Sequence, residues 1–368
     1  MNASIRAETA ETSRPRQARP TRFLDTSSLS VVIPVYNGGD AFRKCLASIS
    51  AANPKPREII VVADGPSDDS WQVAEQFGAK VLRLPNQAGP AAARNAGVGL
   101  ATGQVIVFLD ADVTVPADFF EKVAEKFEQF PALDALIGSY DDAPEAPNFL
   151  SQYRNLFHHY THQMAQEQAS TFWGACGAVQ KAAFLAIGGF DERYRTPCIE
   201  DIELGYRLKQ GGCNIRLCKD VQVKHLKRWE ALSMLKTDFF QRALPWTTLI
   251  WRDRTLKNDL NLNVSSRLSV ICVYSAFLSL GLALWHPWIS LITVGLCLAL
   301  IGLNLPVYRF FARKRGYRFA ARVIPWHWLY YGYSGLAFAL GTLRYGVQRS
   351  QFAIAKVLNR MGFAKSHS

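Results

Sequence analysis

Residues Leu268 to Tyr308 form a run of 41 positions without a charged side chain. One buried helix of a water-soluble domain is too short to account for it. At about 20 residues per bilayer crossing the run predicts two spans, at 268–285 and 288–307, with His286–Pro287 as the tight turn between them. A third uncharged run, 323–343, opens on Trp326, Trp328, Tyr330, Tyr331 and Tyr333. That crowding reads as an interfacial aromatic belt, and the run as a possible third span.

The charge distribution agrees. The net charge is +12, yet residues 1–260 hold 30 Lys/Arg and 30 Asp/Glu, whereas 261–368 hold 12 Lys/Arg and no acid. A body that gripped nucleic acid would carry the basic excess itself, so no nucleic-acid partner is expected. A neutral body with a basic, apolar tail fits a membrane. Arg309, Arg313, Lys314, Arg315, Arg318 and Arg322 lie between the second and third runs. The positive-inside rule puts that segment, and the body, in the cytosol. The expected location is the inner cell membrane, multi-pass, with a cytoplasmic catalytic domain. The basic tail 344–368 also prefers the cytosol, which three full spans would not allow; the third run is a span or a re-entrant segment.

Two other segments have a clear character. Residues 1–26 carry five arginines and no apolar run of signal-peptide length, so they read as a disordered basic arm. Residues 229–264 mix basic residues with Trp229, Phe239, Phe240, Trp246 and Trp251 and read as amphipathic helices in the headgroup layer. The seven cysteines include no CxxC pair, which excludes a zinc or disulfide framework and fits a reducing compartment.

Between these segments, 27–228 reads as one α/β domain. Apolar runs at 29–35, 57–63, 79–84 and 104–109 alternate with helical patterns. Phe42, Leu46 and Ile49 share one helical face, Ser67 is a candidate N-cap for a helix reaching about Phe77, and Pro90 opens the next helix. Strands apolar on both faces predict a parallel sheet covered on both sides. Its ligand crevice lies beyond the carboxyl ends of the strands, which carry Tyr36, Asp64, Asp110 and Asp112. Residues 172–180 and 188–191 read as turn-rich, 199–210 as a helix stopped at Gly211–Gly212, and 214–224 as strand ending at His225.

Chemistry concentrates at those ends. In extended backbone Asp110 and Asp112 project to one side, where paired carboxylates suit Mg²⁺ or Mn²⁺; two solvated loop aspartates are the plain alternative. Glu200–Asp201 opens a helix, where acids either stabilise the dipole or take a proton. Arg94 is either surface charge or a phosphate contact, and His225 either a structural histidine or a third metal ligand. Neither a P-loop nor a dinucleotide fingerprint occurs.

SVVIPVYNGG, VVADGPSDDS, NQAGPAAARNAGVGLATGQVIVFLDAD, GACGAVQKAAFLAIGGFDE and EDIELGYRLKQGG, in that order over about 29–226, resemble glycosyltransferase family 2. The resemblance implies a GT-A fold: a Rossmann-like nucleotide-sugar-binding mixed sheet with helices on both faces. It implies inverting transfer from a nucleoside diphosphate sugar, more often UDP-linked, with a divalent metal. On the family's motifs, Pro34, Tyr36, Asp64, Arg94, Asp110 and Ala111 border the nucleotide sugar, and Asp110, Asp112 and His225 the metal. Asp201 is the base, and Trp173, Gly174, Cys176 and Glu200 border the acceptor. Two departures stand out. Ala63 replaces the first acid of the usual DDG, and Gln241 to Trp246 lacks the QxxRW spacing of polymer synthases. The expected acceptor is therefore a hydroxyl of a lipid-linked or membrane-associated glycan. A polyprenyl phosphate acceptor and a non-catalytic nucleotide-sugar-binding protein are the alternatives.

Overall fold

The structure is a computed structural model that describes residues 25–65, 67–254 and 262–360. The expected basic arm, up to residue 24, and the end of the tail lie outside the described residues.

β1 (Leu29–Val35), β2 (Glu58–Asp64), β3 (Lys80–Leu84) and β4 (Val105–Leu109) alternate with α1 (Gly39–Ala51), α2 (Ser70–Gln76) and α3 (Pro90–Leu100). After the short β5 (Val113–Thr114) and α4 (Phe119–Gln129) come β6 (Ala135–Tyr140), α5 (Phe149–Met164), β7 (Cys176–Gln180), α6 (Lys181–Ala186), α7 (Glu200–Gln210) and β8 (Ile215–His225). The sheet order is β3-β2-β1-β4-β7-β6-β8-β5. The first four strands are parallel, as the two-sided apolar character of β1, β2 and β4 predicts, with β3 at the edge; β7 then enters antiparallel between β4 and β6. One apolar layer on each face closes the sheet: Phe42, Leu46 and Phe120 pack on one side, and Phe172, Phe184 and Phe190 surround Phe108 on the other.

Two local expectations change. Ser67 does not cap α2; Asp69 occupies the N-cap, and the Asp68 carboxylate accepts bonds from the Ser70 amide and hydroxyl. Residues 176–180, read as turn, form the strand β7 near the middle of the sheet. Their glycine has a packing reason: a Cβ on Gly177 would lie 2.6 Å from the Phe172 ring and 2.4 Å from the Trp173 carbonyl oxygen.

From Ala231 on, the described elements are helical: α8 (Ala231–Lys236), a π-helical stretch (Thr237–Ala243), α9 (Leu244–Asp253), α10 (Val264–Leu282), α11 (Ser290–Leu303), α12 (Leu305–Arg315) and α13 (Tyr317–Arg360). Among the described residues, α10, with 19 residues, is the one helix long and apolar enough by itself to cross a membrane. α11 passes that test only together with α12, and the two meet at a 61° bend. The run 323–343 lies inside the 44-residue α13, which carries Pro325.

The basic segment 309–322 is not an open loop. Val307, Tyr308 and Phe311 of α12, with Ala320 and Val323 of α13, pack against Tyr153, Leu156 and Phe157 of α5. Helical spacing of aromatics among the arginines makes one face apolar, so the segment docks on the sheet domain. The aromatic crowd of the third run also faces inward: Tyr331 is buried and bonds Asn304, and Tyr333 donates to Asp238 at 2.7 Å. In 229–264, Trp229 is buried, whereas Phe240 and Trp251 remain exposed.

Candidate active site

The carboxyl ends of the parallel strands open into a cleft of about 530 Å³. Every site residue expected from the sequence lines it except Gly174 and Cys176. Asp110–Ala111–Asp112 is a tight turn between β4 and β5, not extended backbone; the Val113 amide closes it on the Asp110 carbonyl at 3.4 Å. The two carboxylates therefore engage different partners.

Asp112 faces His225. The pairing of β5 with β8 sets Val113 opposite His225, and the Leu226 amide donates to the Asp112 carbonyl at 2.9 Å. This register puts the His225 Nε2 3.4 Å from the Asp112 Oδ2. The other ring nitrogen, Nδ1, lies 2.8 Å from the Asn155 Oδ1, and the ring stacks on Tyr140 at 4.5 Å. Burial pushes the Asp112 carboxyl up, but the hydrogen bond to His225 and the neighbouring positive charge, Lys227 included, together outweigh it and the net shift is downward. An oriented imidazole beside an ionised carboxylate is a donor set that suits a divalent ion, with the second ring nitrogen held as such ligands require. No group of three or more His, Cys, Asp or Glu with metal-site spacing exists among the described residues. Further oxygens would have to come from substrate or water.

Asp110 faces Arg94. The Arg94 guanidinium is buried and bridges two acids, Asp110 Oδ1 at 2.8 Å and Glu200 Oε1 at 2.9 Å. α3 supplies it from its first turns, so one side chain couples the β4–β5 turn to the start of α7. Its Nη1 and Nη2 are turned to these acids, while the side chain borders the cleft. Burial raises the Asp110 carboxyl, with Arg94 opposing and the Asp112 charge adding to the rise. Gly174 completes the packing, because a Cβ there would lie 2.9 Å from the Arg94 Nη2.

Asp201 stands at the first turn of α7. Its Oδ2 accepts the Gly174 amide at 3.0 Å and its Oδ1 the Ile202 amide at 2.8 Å. Burial and the neighbouring Glu200 charge push its carboxyl up to about 7. A carboxylate of that basicity, bordering a cleft, is poised to accept a proton near neutral pH. Glu200 is held by Arg94 and by the Cys198 amide, each at 2.9 Å.

At the β1–β2 end, Pro34 and half-exposed Tyr36 form the rim. Asp64 is buried and accepts the Ala88 and Gly89 amides at 2.7 and 2.9 Å, fixing the turn before α3. Gly89 has φ 96°, and a Cβ there would meet the Arg195 carbonyl oxygen at 2.4 Å.

Cys176 is corrected: it is buried in β7 within the core, and Ala175 borders the cleft instead. Trp173 borders it while packed on Tyr140, His158 and His162. Sequence reasoning missed Tyr140, Lys227, Gln241 and Arg242, all of which line the cleft. Gln241 and Arg242 sit on the π-helical stretch. It is held from below by buried Asp238, which pairs with Arg154 of α5 at 2.6 Å and accepts from Tyr333 of α13. The aromatic-basic composition of 229–254 was the available signal, but it also described a membrane-surface helix.

A profile of glycosyl transferase family 2 matches residues 30–188, and one described as the N-terminal domain of galactosyltransferase matches 154–230. Residues 30–188 thus match a glycosyl transferase family 2 domain. The chain is 27% identical over 184 residues to glycosyltransferase GlyA of Streptococcus pneumoniae, covering 49% of this chain and 26% of that protein. It is 29% identical over 209 residues to the pre-mycofactocin glycosyltransferase of Mycobacterium tuberculosis, covering 54% of this chain and 42% of that one. The chain thus spans less than half the length of these curated relatives. Among solved structures, the mannosyltransferase PcManGT of Pyrobaculum calidifontis, in complex with GDP-Man and Mn²⁺, matches with a TM-score of 0.53 at 18% identity. The match covers 90% of this chain and 91% of that one. The shared architecture is the GT-A fold.

Proposed function

We propose that this chain is an inverting glycosyltransferase. It moves a sugar from a nucleoside diphosphate sugar to a hydroxyl of a lipid-linked or membrane-associated acceptor at the cytosolic face. The observation that carries the reading is Asp201: a carboxyl raised to about 7, fixed by two amides, in the same cleft as Asp110, Asp112 and His225.

In this reading Pro34 and Tyr36 border the nucleobase, and Asp64 holds the turn that shapes that end. Asp112 and His225 would hold Mg²⁺ or Mn²⁺, which would supply positive charge to the leaving diphosphate. Asp201 takes the proton of the attacking hydroxyl, which approaches the anomeric carbon opposite the leaving group. Arg94 keeps Asp110 and Glu200 paired, so the cleft floor does not move as charge shifts. Exposed α10 and the α10–α11 hairpin support a membrane location.

The base is the ionised form of a carboxyl whose pKa is raised. Transfer to a hydroxyl acceptor is therefore full above about 7 and falls as pH drops through that point. A kcat/KM profile that stays flat through it removes Asp201 as the base.

The deciding experiment offers membranes containing the protein a panel of radiolabelled UDP- and GDP-sugars with Mn²⁺ or Mg²⁺, then extracts with organic solvent. The expected result is label in the lipid phase that vanishes on chelation of the metal. No turnover of any donor would leave a nucleotide-sugar-binding protein and refute the enzyme.

A polyprenyl phosphate acceptor is the second reading, favoured by Lys227 and Arg242 on the cleft wall. An ionised phosphate needs no base, so this route would survive the loss of Asp201.

A further inference from the structure

A second cavity, of about 490 Å³, lies away from the cleft and shares none of its lining residues. Tyr160 and Met164 of α5 form one wall, Pro306, Arg309, Ala312 and Arg313 of α12 the other, and Tyr317 overhangs it. Its lining is mostly apolar, with two arginines at the rim. Among the described residues neither Arg309 nor Arg313 has an acidic partner. Their neighbours are engaged: Lys314 pairs with Asp142, and Arg315 donates to the Gln152 side-chain oxygen at 2.9 Å. The opposite face of α12 is buried through Val307, Tyr308 and Phe311. The helix is thus clamped to the sheet domain by one face, and Pro306, Arg309 and Arg313 lie on an exposed one.

The position of that face narrows the occupant. α12 begins at the 61° bend where apolar α11 ends. Beside that bend, on the start of α10 and the end of α11, Leu268, Ile271 and Leu298 are 43%, 60% and 63% exposed. The arginines therefore sit where an apolar, uncovered surface gives way to a basic one, which is the chemistry of a headgroup layer. Two arginines at i and i+4 stand about 6 Å apart, and both can donate to oxygens of one phosphate. The apolar floor beneath them suits acyl chain, not sugar or peptide.

We propose that this groove binds an anionic glycerophospholipid of the bilayer, with the phosphate on Arg309 and Arg313 and the acyl chains along the α11–α12 bend. The inference rests on the membrane location in the proposed function. Bound lipid would seat α12, and through it α5, at the membrane plane. α5 also carries Asn155, which orients His225, and Arg154, which anchors the wall bearing Gln241 and Arg242.

The test uses the full chain reconstituted in nanodiscs of mixed phosphatidylcholine and phosphatidylglycerol. Lipid retained on gentle detergent release is quantified by mass spectrometry, and carbonate extraction of membranes serves as a separate arm. The expected result is selective retention of phosphatidylglycerol, reduced on the order of tenfold in Arg309→Ala/Arg313→Ala. Carbonate resistance should be unchanged, and Arg309→Lys/Arg313→Lys should keep most of the selectivity. Equal retention of both lipids, or selectivity unaffected by the alanine pair, overturns the groove while leaving the membrane location intact. In a further arm, with nanodiscs that also contain a polyprenyl phosphate, preference for it over phosphatidylglycerol overturns the choice of occupant. Release of the wild-type chain by carbonate overturns the membrane location and the groove with it.

Discussion

Asp201→Asn lowers transfer to a hydroxyl acceptor by about 10²–10⁴-fold, the range lost with a general base, and leaves binding of the nucleotide diphosphate within a few-fold. The amide is isosteric and its oxygen can still accept the Gly174 amide that Asp201 accepts at 3.0 Å, so the turn at 172–175 keeps its place. What disappears is the proton acceptor. The measurement is kcat under saturating donor, paired with donor affinity by calorimetry. A kcat within a few-fold of wild type would transfer the reaction to an acceptor already ionised, the polyprenyl phosphate route. Loss of donor binding together with rate would mean that Asp201 shapes the cleft and does not serve as the base.

Arg94→Met unfolds the site from within. It removes the cation from between Asp110 and Glu200, which Arg94 holds at 2.8 and 2.9 Å with the guanidinium buried. Breaking a buried pair by deleting one partner costs about 3–5 kcal/mol, because the remaining charge loses compensation without regaining water. In a domain of this size that corresponds to a fall in Tm of about 6–20 °C, read by thermal melting in detergent. Activity falls with it, since Asp110 and the start of α7 lose their common anchor. Arg94→Lys restores only part of either loss, because an ammonium lacks the fork that reaches both carboxylates. A Tm within about 2 °C of wild type would mean that the two acids are solvated in solution and that Arg94 is a surface residue after all.

The sheet domain was legible because its signals are local. VVIPV, IIVV and VIVFL are apolar on both faces, and Phe42, Leu46 and Ile49 repeat at helical spacing; each announces its element without knowledge of the rest of the chain. β7 was not legible. Its strand is CGAVQ, and the property that makes it central is the absence of side chains where Phe172 and Trp173 crowd it, a constraint set by residues outside the strand. The aromatic residues of 323–343 misled for a related reason. Composition marks Trp and Tyr as interfacial, but whether Tyr331 and Tyr333 meet lipid headgroups or Asn304 and Asp238 depends on which helix lies beside them.

The site divides in the same way. The acids Asp64, Asp110, Asp112, Glu200 and Asp201 could be picked out because each follows a strand or opens a helix, and those positions converge on one sheet edge in any parallel α/β fold. Their roles could not be assigned from position. Arg94 lies 16 residues from Asp110 and 106 from Glu200, and only the docking of α3 against β1 and β2 and of α7 beside it makes one guanidinium serve both. His225 stands next to Asp112 because β5 pairs with β8 in one register; a one-residue slip would turn its ring to the other face. The sequence by itself determined which elements form and which chemical groups stand at their ends, since apolar periodicity and helix caps act over a few residues. The tertiary structure alone decided which of those groups touch. Pairing across such distances depends on strand register and helix docking, and no local pattern encodes either.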